Sequence, residues 1–386
     1  MDKYKKVLFI TNTFPNDDEL SSGVFNFNAA NQLDDICDLT VIHLRSWRPF
    51  RKFVEKKQIG NLNFLCFSFP YYPVSSSMLT GVQLYLYQYF MQLLLAKVLK
   101  EQALIHSVGT SFSGVIGAYL SKKLKIPHIA QCIGTDVNIT LPQKKDSYFY
   151  SVMKKYVDIY TTNSFALEKQ VQSIYPNKPV KTIYRGVNLG FFDQLNVNST
   201  KLKANVAFIG GLSYREEHPS GRDYKGGVTL LKAWQSLDSH EDVVLHFAGP
   251  EVTDSLVEEI LEQSPHKLNI KVSSYLNRND VKNLFSLADV VVVPSWMEGL
   301  PNAGMEALAS SCALIGTDVG GIPELIDNNG YLFKPGDYKT LAELLDSMIS
   351  DRARLSSFKK RSRELALTKF SSKQFPKLYR ELYEKL

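Results

Sequence analysis

Residues 289–324 are DVVVVPSWMEGLPNAGMEALASSCALIGTDVGGIPE. The run Val290–Val293 is short, apolar and β-branched, the composition of a strand buried on both faces of a parallel sheet. Pro294-Ser295 ends the run, a loop follows over 296–302, and a helical pattern spans about 303–310. A second apolar run, 313–316, is the next strand. The unit is β-loop-α-β, with Glu298 in the loop and Glu306 about one turn into the helix, seven residues between them. Both carboxylates can face the crevice at the strand's carboxyl end. The N–H groups of the helix start, beside Leu300, Pro301 and Asn302, favour a phosphate there. Two carboxylates flanking a phosphate seat suit a sugar nucleotide, one on sugar and one on ribose hydroxyls. The bland alternative is a pair of surface charges at a helix start.

The same β-α rhythm extends in both directions. Strands are expected at 6–11, 39–44, 63–69, 104–107, 127–130, 159–162 and 181–184, and again at 206–209, 243–248 and 268–272. Helices are expected between them, with Ser113 and Ser164 at two helix starts. Residues 338–349, 351–369 and the Lys- and Tyr-rich 371–386 are also expected to be helical. The alternation predicts doubly wound parallel sheets. A helix over 79–99 has a broad apolar face and few charges, which reads as packing on a sheet; contact with a membrane interface is the alternative. Residues 47–57 form a basic stretch with Arg48, Arg51, Lys52, Lys56 and Lys57, either a solvated loop or a contact for phosphate head groups.

Composition narrows the class. The chain has 386 residues, room for two cores, with 44% hydrophobic and 22% charged residues, the balance of a globular protein. A net charge of +6 fits an anionic substrate or membrane surface and does not call for nucleic acid. The four cysteines are scattered with no CxxC pair, so buried reduced thiols and a cytoplasmic setting are expected. The apolar run at the N-terminus is broken by Thr11, Asn12 and Thr13, which suits a first strand rather than a signal peptide. No stretch is apolar enough to span a bilayer, leaving weak peripheral contact at the inner face as the open membrane alternative. The first βα turn lacks GxGxxG, against an NAD or FAD enzyme.

Glu298 and Glu306 with their flanks resemble the Glu-x7-Glu signature of retaining glycosyltransferases of family 4, the group 1 transferases with the GT-B fold. The flanks are Pro294-Ser295, then Gly299-Leu300-Pro301-Asn302, then Gly320-Gly321-Ile322-Pro323-Glu324. The resemblance is strong over about 205–334 and weaker before it. It implies two Rossmann-like domains facing across a cleft: 1–188 for the acceptor, a linker 189–204, 205–369 for the nucleotide sugar, and a helix 370–386 crossing back to the first domain. It implies transfer of a hexosyl group, with retention, from a UDP- or GDP-type sugar to the hydroxyl of a glycan or lipid-linked glycan, in surface polysaccharide or glycoconjugate synthesis. The absence of Asp-x-Asp fits chemistry with no metal and no cofactor, in which Lys225 and the helix at Asn302 steady the departing diphosphate. In such enzymes the leaving phosphate itself takes the acceptor proton.

Carried over position by position, the resemblance assigns the donor site to Gly23, Gly211, Lys225, Ser295, Glu298, Gly299, Leu300, Pro301, Asn302 and Glu306. Two departures stand out. Gly211 occupies the place of the family's diphosphate-clamping arginine, which leaves Arg215 or Arg222 of the following loop to replace it. Ile133 occupies the place of the histidine in His-Gly-x-Asp, so Asp136 is either a hydroxyl-binding or basic group or a helix cap. The losses keep open a catalytically silent subunit that binds nucleotide sugar. A glucan phosphorylase or synthase is a third reading, disfavoured by the modest length.

Overall fold

The computed structural model describes residues 5–15, 23–72, 77–134, 136–140, 148–192, 203–212, 223–237, 241–250 and 252–386. The chain divides into two compact units, Met1–Arg185 with Gln374–Leu386, and Gly186–Lys373.

The first unit is built on an eight-stranded sheet. Its strands are β1 (Lys6–Thr11), β2 (Asp38–Ser46), β3 (Val54–Ile59), β4 (Leu62–Phe69), β5 (Leu104–Val108), β6 (His128–Cys132), β7 (Ile159–Thr162) and β8 (Val180–Thr182). They lie in the order β3-β4-β2-β1-β5-β6-β7-β8, parallel except for β3, which pairs antiparallel with β4 at one edge. Its helices are α1 (Val24–Asp34), α2 (Ser77–Leu94), α3 (Ala96–Lys100), α4 (Phe112–Leu124), α5 (Tyr148–Tyr156) and α6 (Phe165–Ile174).

Strand β1 shows why the sheet is covered on both faces. Successive side chains alternate in direction, so Leu8 and Ile10 join Tyr87 and Met91 of α2 and Ile116 and Leu120 of α4 on one side. Val7 and Phe9 join Ala29, Ala30 and Leu33 of α1 on the other. That second layer is completed from the far end of the chain. The terminal helix Gln374–Lys385 returns to this unit and buries Phe375, Tyr379, Leu382 and Tyr383. The Tyr383 hydroxyl meets His106 Nδ1 at 2.7 Å, and the Tyr379 hydroxyl meets Thr161 Oγ1 at 2.8 Å. Burial holds His106 far below its ordinary value, at about 3, so this ring is neutral.

Four local expectations are revised. Lys56 and Lys57 lie on edge strand β3 rather than in a loop, and lysine on an edge discourages further pairing. The helix expected over 79–99 breaks at Leu95 into α2 and α3. Only a stripe of α2, including Leu84, Tyr87 and Met91, packs inward, while its other apolar side chains are exposed. Ser113 is not a cap: it lies inside α4, buried, and donates to the Val108 carbonyl, while Ser111 stands at the N-cap position.

The second unit carries β9 (Ala204–Ile209), β10 (Val243–Ala248), β11 (Ile270–Ser273), β12 (Val290–Val293), β13 (Ala313–Thr317) and β14 (Gly330–Phe333). The order is β11-β10-β9-β12-β13-β14, parallel throughout. The helices are α7 (Gly227–Gln235), α8 (Asp254–Leu261), α9 (Arg278–Leu287), α10 (Asn302–Ala309), α11 (Tyr338–Ser350) and α12 (Arg352–Thr368). Val206, Phe208, Val290 and Val292 pack with Leu230 and Trp234 of α7 and Leu341 and Leu345 of α11. Strand β14 was not foreseen, because GYLF is short and three of its four residues stay partly exposed. The strand order reverses between β9 and β12, and the carboxyl ends there are where an open parallel sheet leaves a crevice. Cys37, Cys66, Cys132 and Cys312 are buried free thiols, as their apolar contexts suggest.

Docking of the terminal helix is a large part of the first unit's core. Tyr379→Ala removes a fully buried aromatic and its hydroxyl bond, an expected loss of about 3–5 kcal/mol in urea unfolding. Unchanged stability would mean that the helix is an ornament of this unit.

Candidate functional site at the β9–β12 reversal

The β12 strand delivers Pro294 and Ser295 to the crevice, and the loop behind them turns Glu298 back over it. Glu298 Oε1 accepts from Lys225 Nζ at 2.6 Å and from Ser295 Oγ at 3.0 Å. Lys225 belongs to the other side of the reversal, in the turn that enters α7. Gly226 fixes that turn. It stands at φ +76, and a Cβ there would overlap the Pro294 carbonyl. Only glycine lets the Lys225 turn press this closely on the end of β12. The contact is tightened by Trp296, whose N–H donates to the Tyr224 carbonyl at 3.1 Å. Gly320, at φ +51, makes the same kind of approach to the Glu298 backbone. Thr317 Oγ1 donates to the Ser295 carbonyl at 2.6 Å.

Asp223 was missed in the sequence. Its buried carboxylate accepts from Val228 N at 2.7 Å and Thr229 N at 3.1 Å, and also from the Thr229 hydroxyl and Trp296 Nε1. It therefore caps α7, and that helix start is already occupied by an internal anion. Burial raises the Asp223 carboxyl while those donors pull it down. The signal was an Asp just ahead of Tyr-Lys-Gly-Gly, hidden by reading residues through Tyr224 as one polar loop.

Helix α10 is the complement. Among the described residues no side chain caps its start at Pro301, and its first turn holds no acidic residue. Leu300 and Pro301 are buried and Gly299 is buried beside them, while Asn302 is exposed. Glu306 sits on this helix with its side chain 18% exposed, 3.7 Å from the Arg278 guanidinium. Arg278 lies over the rings of Phe191 and Phe192, at 4.9 and 5.6 Å. Burial pushes the Glu306 carboxyl up to about 7, against the lowering pull of Arg278. No sequence pattern pointed to Arg278, which is near Glu306 only through the fold.

Gly211 follows β9 at φ +69, and a Cβ there would lie 3.0 Å from the Pro250 carbonyl oxygen. An arginine at this point would need a different turn. Arg215 and Arg222 lie outside the described residues. In the first unit, Gly23 takes φ +69 at the start of α1, packed on the backbone of Thr13 and Phe14. Asp136 is buried, and its carboxylate accepts from Ile133 N at 3.0 Å, Gly134 N at 2.8 Å and Thr110 N at 3.1 Å. These bonds tie together the loops after β5 and β6. Lys225, Ser295 and Glu298 thus form one cluster, Glu306 pairs with Arg278 in the same unit, and Gly23 and Asp136 belong to the other unit.

Residues 220–365 match the family model described as glycosyl transferases group 1. The putative teichuronic acid biosynthesis glycosyltransferase TuaC of Bacillus subtilis is 25% identical over 358 residues, 88% of each chain. An uncharacterized glycosyltransferase of Methanocaldococcus jannaschii is 26% identical over 258 residues, covering 61% of this chain and 63% of its own. Anabaena HepE in complex with UDP superposes with a TM-score of 0.72 at 16% identity, covering 99% of this chain and 100% of that one. A further HepE structure holds UDP-glucose. The two parallel sheets and the returning terminal helix are the GT-B fold. Over residues 220–365 the chain is similar to the group 1 glycosyltransferases.

The raised Glu306 carboxyl makes stability pH-dependent. Between its ordinary 4.5 and about 7, the folded state keeps a proton that the unfolded chain has released. Stability from this group therefore falls as pH rises through that window, by on the order of 3 kcal/mol at most. The Tm of Glu306→Gln, followed from pH 5 to 8 by calorimetry, should gain on the wild type as pH rises. Parallel curves would show that Glu306 ionises normally.

Proposed function

We propose that this chain is a retaining, family 4 glycosyltransferase that works without a metal ion and uses a nucleoside diphosphate sugar. The observation that carries this reading is the Lys225–Glu298 contact at the strand reversal, in the same loop-helix unit as an uncapped helix start. Lys225 is one-third exposed, so its ammonium is open to a ligand. A diphosphate set between Lys225 and the first turn of α10 meets one full and one partial positive charge. Glu298 then lies within reach of the sugar, and Glu306 within reach of ribose hydroxyls. The HepE structures hold UDP and UDP-glucose, which favours a UDP-sugar donor.

In the proposed step the bond from the anomeric carbon to the β-phosphate oxygen breaks. The bond to the acceptor oxygen forms on the same face. The acceptor proton passes to the departing phosphate, whose growing charge Lys225 stabilises more in the transition state than in the bound donor. Glu298 holds the ammonium and Ser295 holds Glu298, so the group that meets the charge is fixed beforehand. Gly23 of the loop after β1 keeps its assignment to the donor, and the acceptor side is assigned to the first unit. Asp136 serves there as a positioning residue, since its oxygens already bind three backbone N–H groups. A glycan or lipid-linked glycan acceptor, in surface polysaccharide or glycoconjugate synthesis, is the class that suits the relatives.

A nucleotide-sugar-binding subunit without turnover is the second reading, favoured by the tight Gly211 turn where a clamping arginine would stand. Turnover separates the two. Purified protein with UDP-sugars and a glycan acceptor should release UDP in the presence of EDTA, with the anomeric configuration retained by NMR. Glu298→Gln should lower kcat roughly a hundredfold or more while the donor KM moves little. Release of UDP that requires a divalent ion, or inversion at the anomeric carbon, would remove the mechanism. Binding of UDP with no turnover of any donor would favour the silent subunit.

A further inference from the structure

Helix α2 is apolar on both faces, with Leu84, Tyr87 and Met91 packed inward. Its inward stripe includes Thr80 and Gln88, both buried. Every exposed side chain between Met78 and Leu94 is apolar or aromatic, among them Leu79, Val82, Tyr85, Leu86, Tyr89 and Leu93. The segment from Ser77 to Ala96 holds no charged residue. A contiguous apolar face of this kind marks a surface meant to be covered. It does not span a membrane: among the described residues no helix is long and apolar enough to cross one.

A second feature adjoins it. Phe90 of α2 stacks on Phe69 at 4.6 Å, Phe69 meets Phe53 at 6.4 Å, and Phe53 stacks on Trp47 at 6.1 Å. This aromatic track joins the helix face to the turn between β2 and β3. In that turn Arg48 and Lys52 are exposed, and Phe50 projects wholly into solvent. From residue 39 to residue 100 the chain has eight Lys and Arg and a single acid, Glu55. Glu55 is already engaged by Arg45 at 2.5 Å.

We propose that α2 and the β2–β3 turn form an interfacial anchor for an anionic lipid surface. Leucine and phenylalanine side chains enter the acyl boundary, tyrosines sit at head-group level, and the cationic turn meets the anionic head groups. An interfacial helix ordinarily carries its own lysines; here the inward side packs on the sheet, and the adjoining turn supplies the charge. A two-fold dimer through the same face fits less well. It would bring the basic turn of each copy, with its exposed Arg48 and Lys52, into one interface, and the nearby acid Glu55 is already paired. The proposal goes beyond the sugar-transfer reading and does not depend on it.

The test is co-sedimentation of the full chain with phosphatidylcholine vesicles, with and without phosphatidylglycerol. Binding to the anionic vesicles, weakened by salt, is expected. Arg48→Ala with Lys52→Ala should weaken that binding roughly thirtyfold. Leu86→Gln with Leu93→Gln, both at exposed positions, should abolish it. No binding of wild-type protein to anionic vesicles would overturn the proposal, as would full binding by the leucine variant. A dimer in light scattering that the leucine variant converts to monomer would assign the face to a second copy instead.

Discussion

The second unit depends on one steric permission, the absence of a side chain at Gly226. With a Cβ there, the Lys225 turn would have to lift off the end of β12, since the Pro294 carbonyl already fills that space. Because it does not lift, an ammonium from the β9 side and a carboxylate from the β12 side meet at 2.6 Å across the strand reversal. Removing one member of a partly buried ion pair strands the other, so each group holds its partner in place. The remaining contacts serve this approach. Asp223 caps α7 and holds Trp296, Trp296 ties its loop to Tyr224, and Gly320 closes on the Glu298 backbone.

The arrangement also decides where an anion can bind. Two helices begin near the reversal, and by sequence either could greet a phosphate. Asp223 occupies the start of α7, whereas α10 begins without a cap. The electrostatic choice therefore falls on α10, which carries Glu306. The glycine at position 211 has a structural reason of its own: at φ +69 against Pro250, it accommodates a tight turn that an arginine could not share unstrained.

Much of the fold was legible because buried parallel strands advertise themselves. Val290–Val293, Val243–Ala248 and Ile159–Thr162 fall where their apolar runs put them. Strand β14 escaped because it is only four residues long and only Phe333 of the four is buried. The division of α2 into packed and exposed faces escaped because both faces are apolar, so periodicity has no contrast to work with. Within the site, Lys225 and Glu298 were singled out by motif, and the fold brings them to 2.6 Å. Asp223 and Arg278 were not found. One hides in a polar loop, and the other reaches Glu306 from a separate helix 28 residues away in sequence, where only tertiary packing brings them together.

The central claim is that the Lys225 ammonium, held by Glu298, binds the diphosphate of the donor. Titration calorimetry of UDP and of uridine into wild-type protein and Lys225→Ala addresses it without any need for an acceptor. The account predicts that the substitution weakens UDP roughly tenfold to a hundredfold, the worth of a charge-assisted contact, and leaves uridine unchanged. Equal affinities of the two proteins for UDP would contradict it.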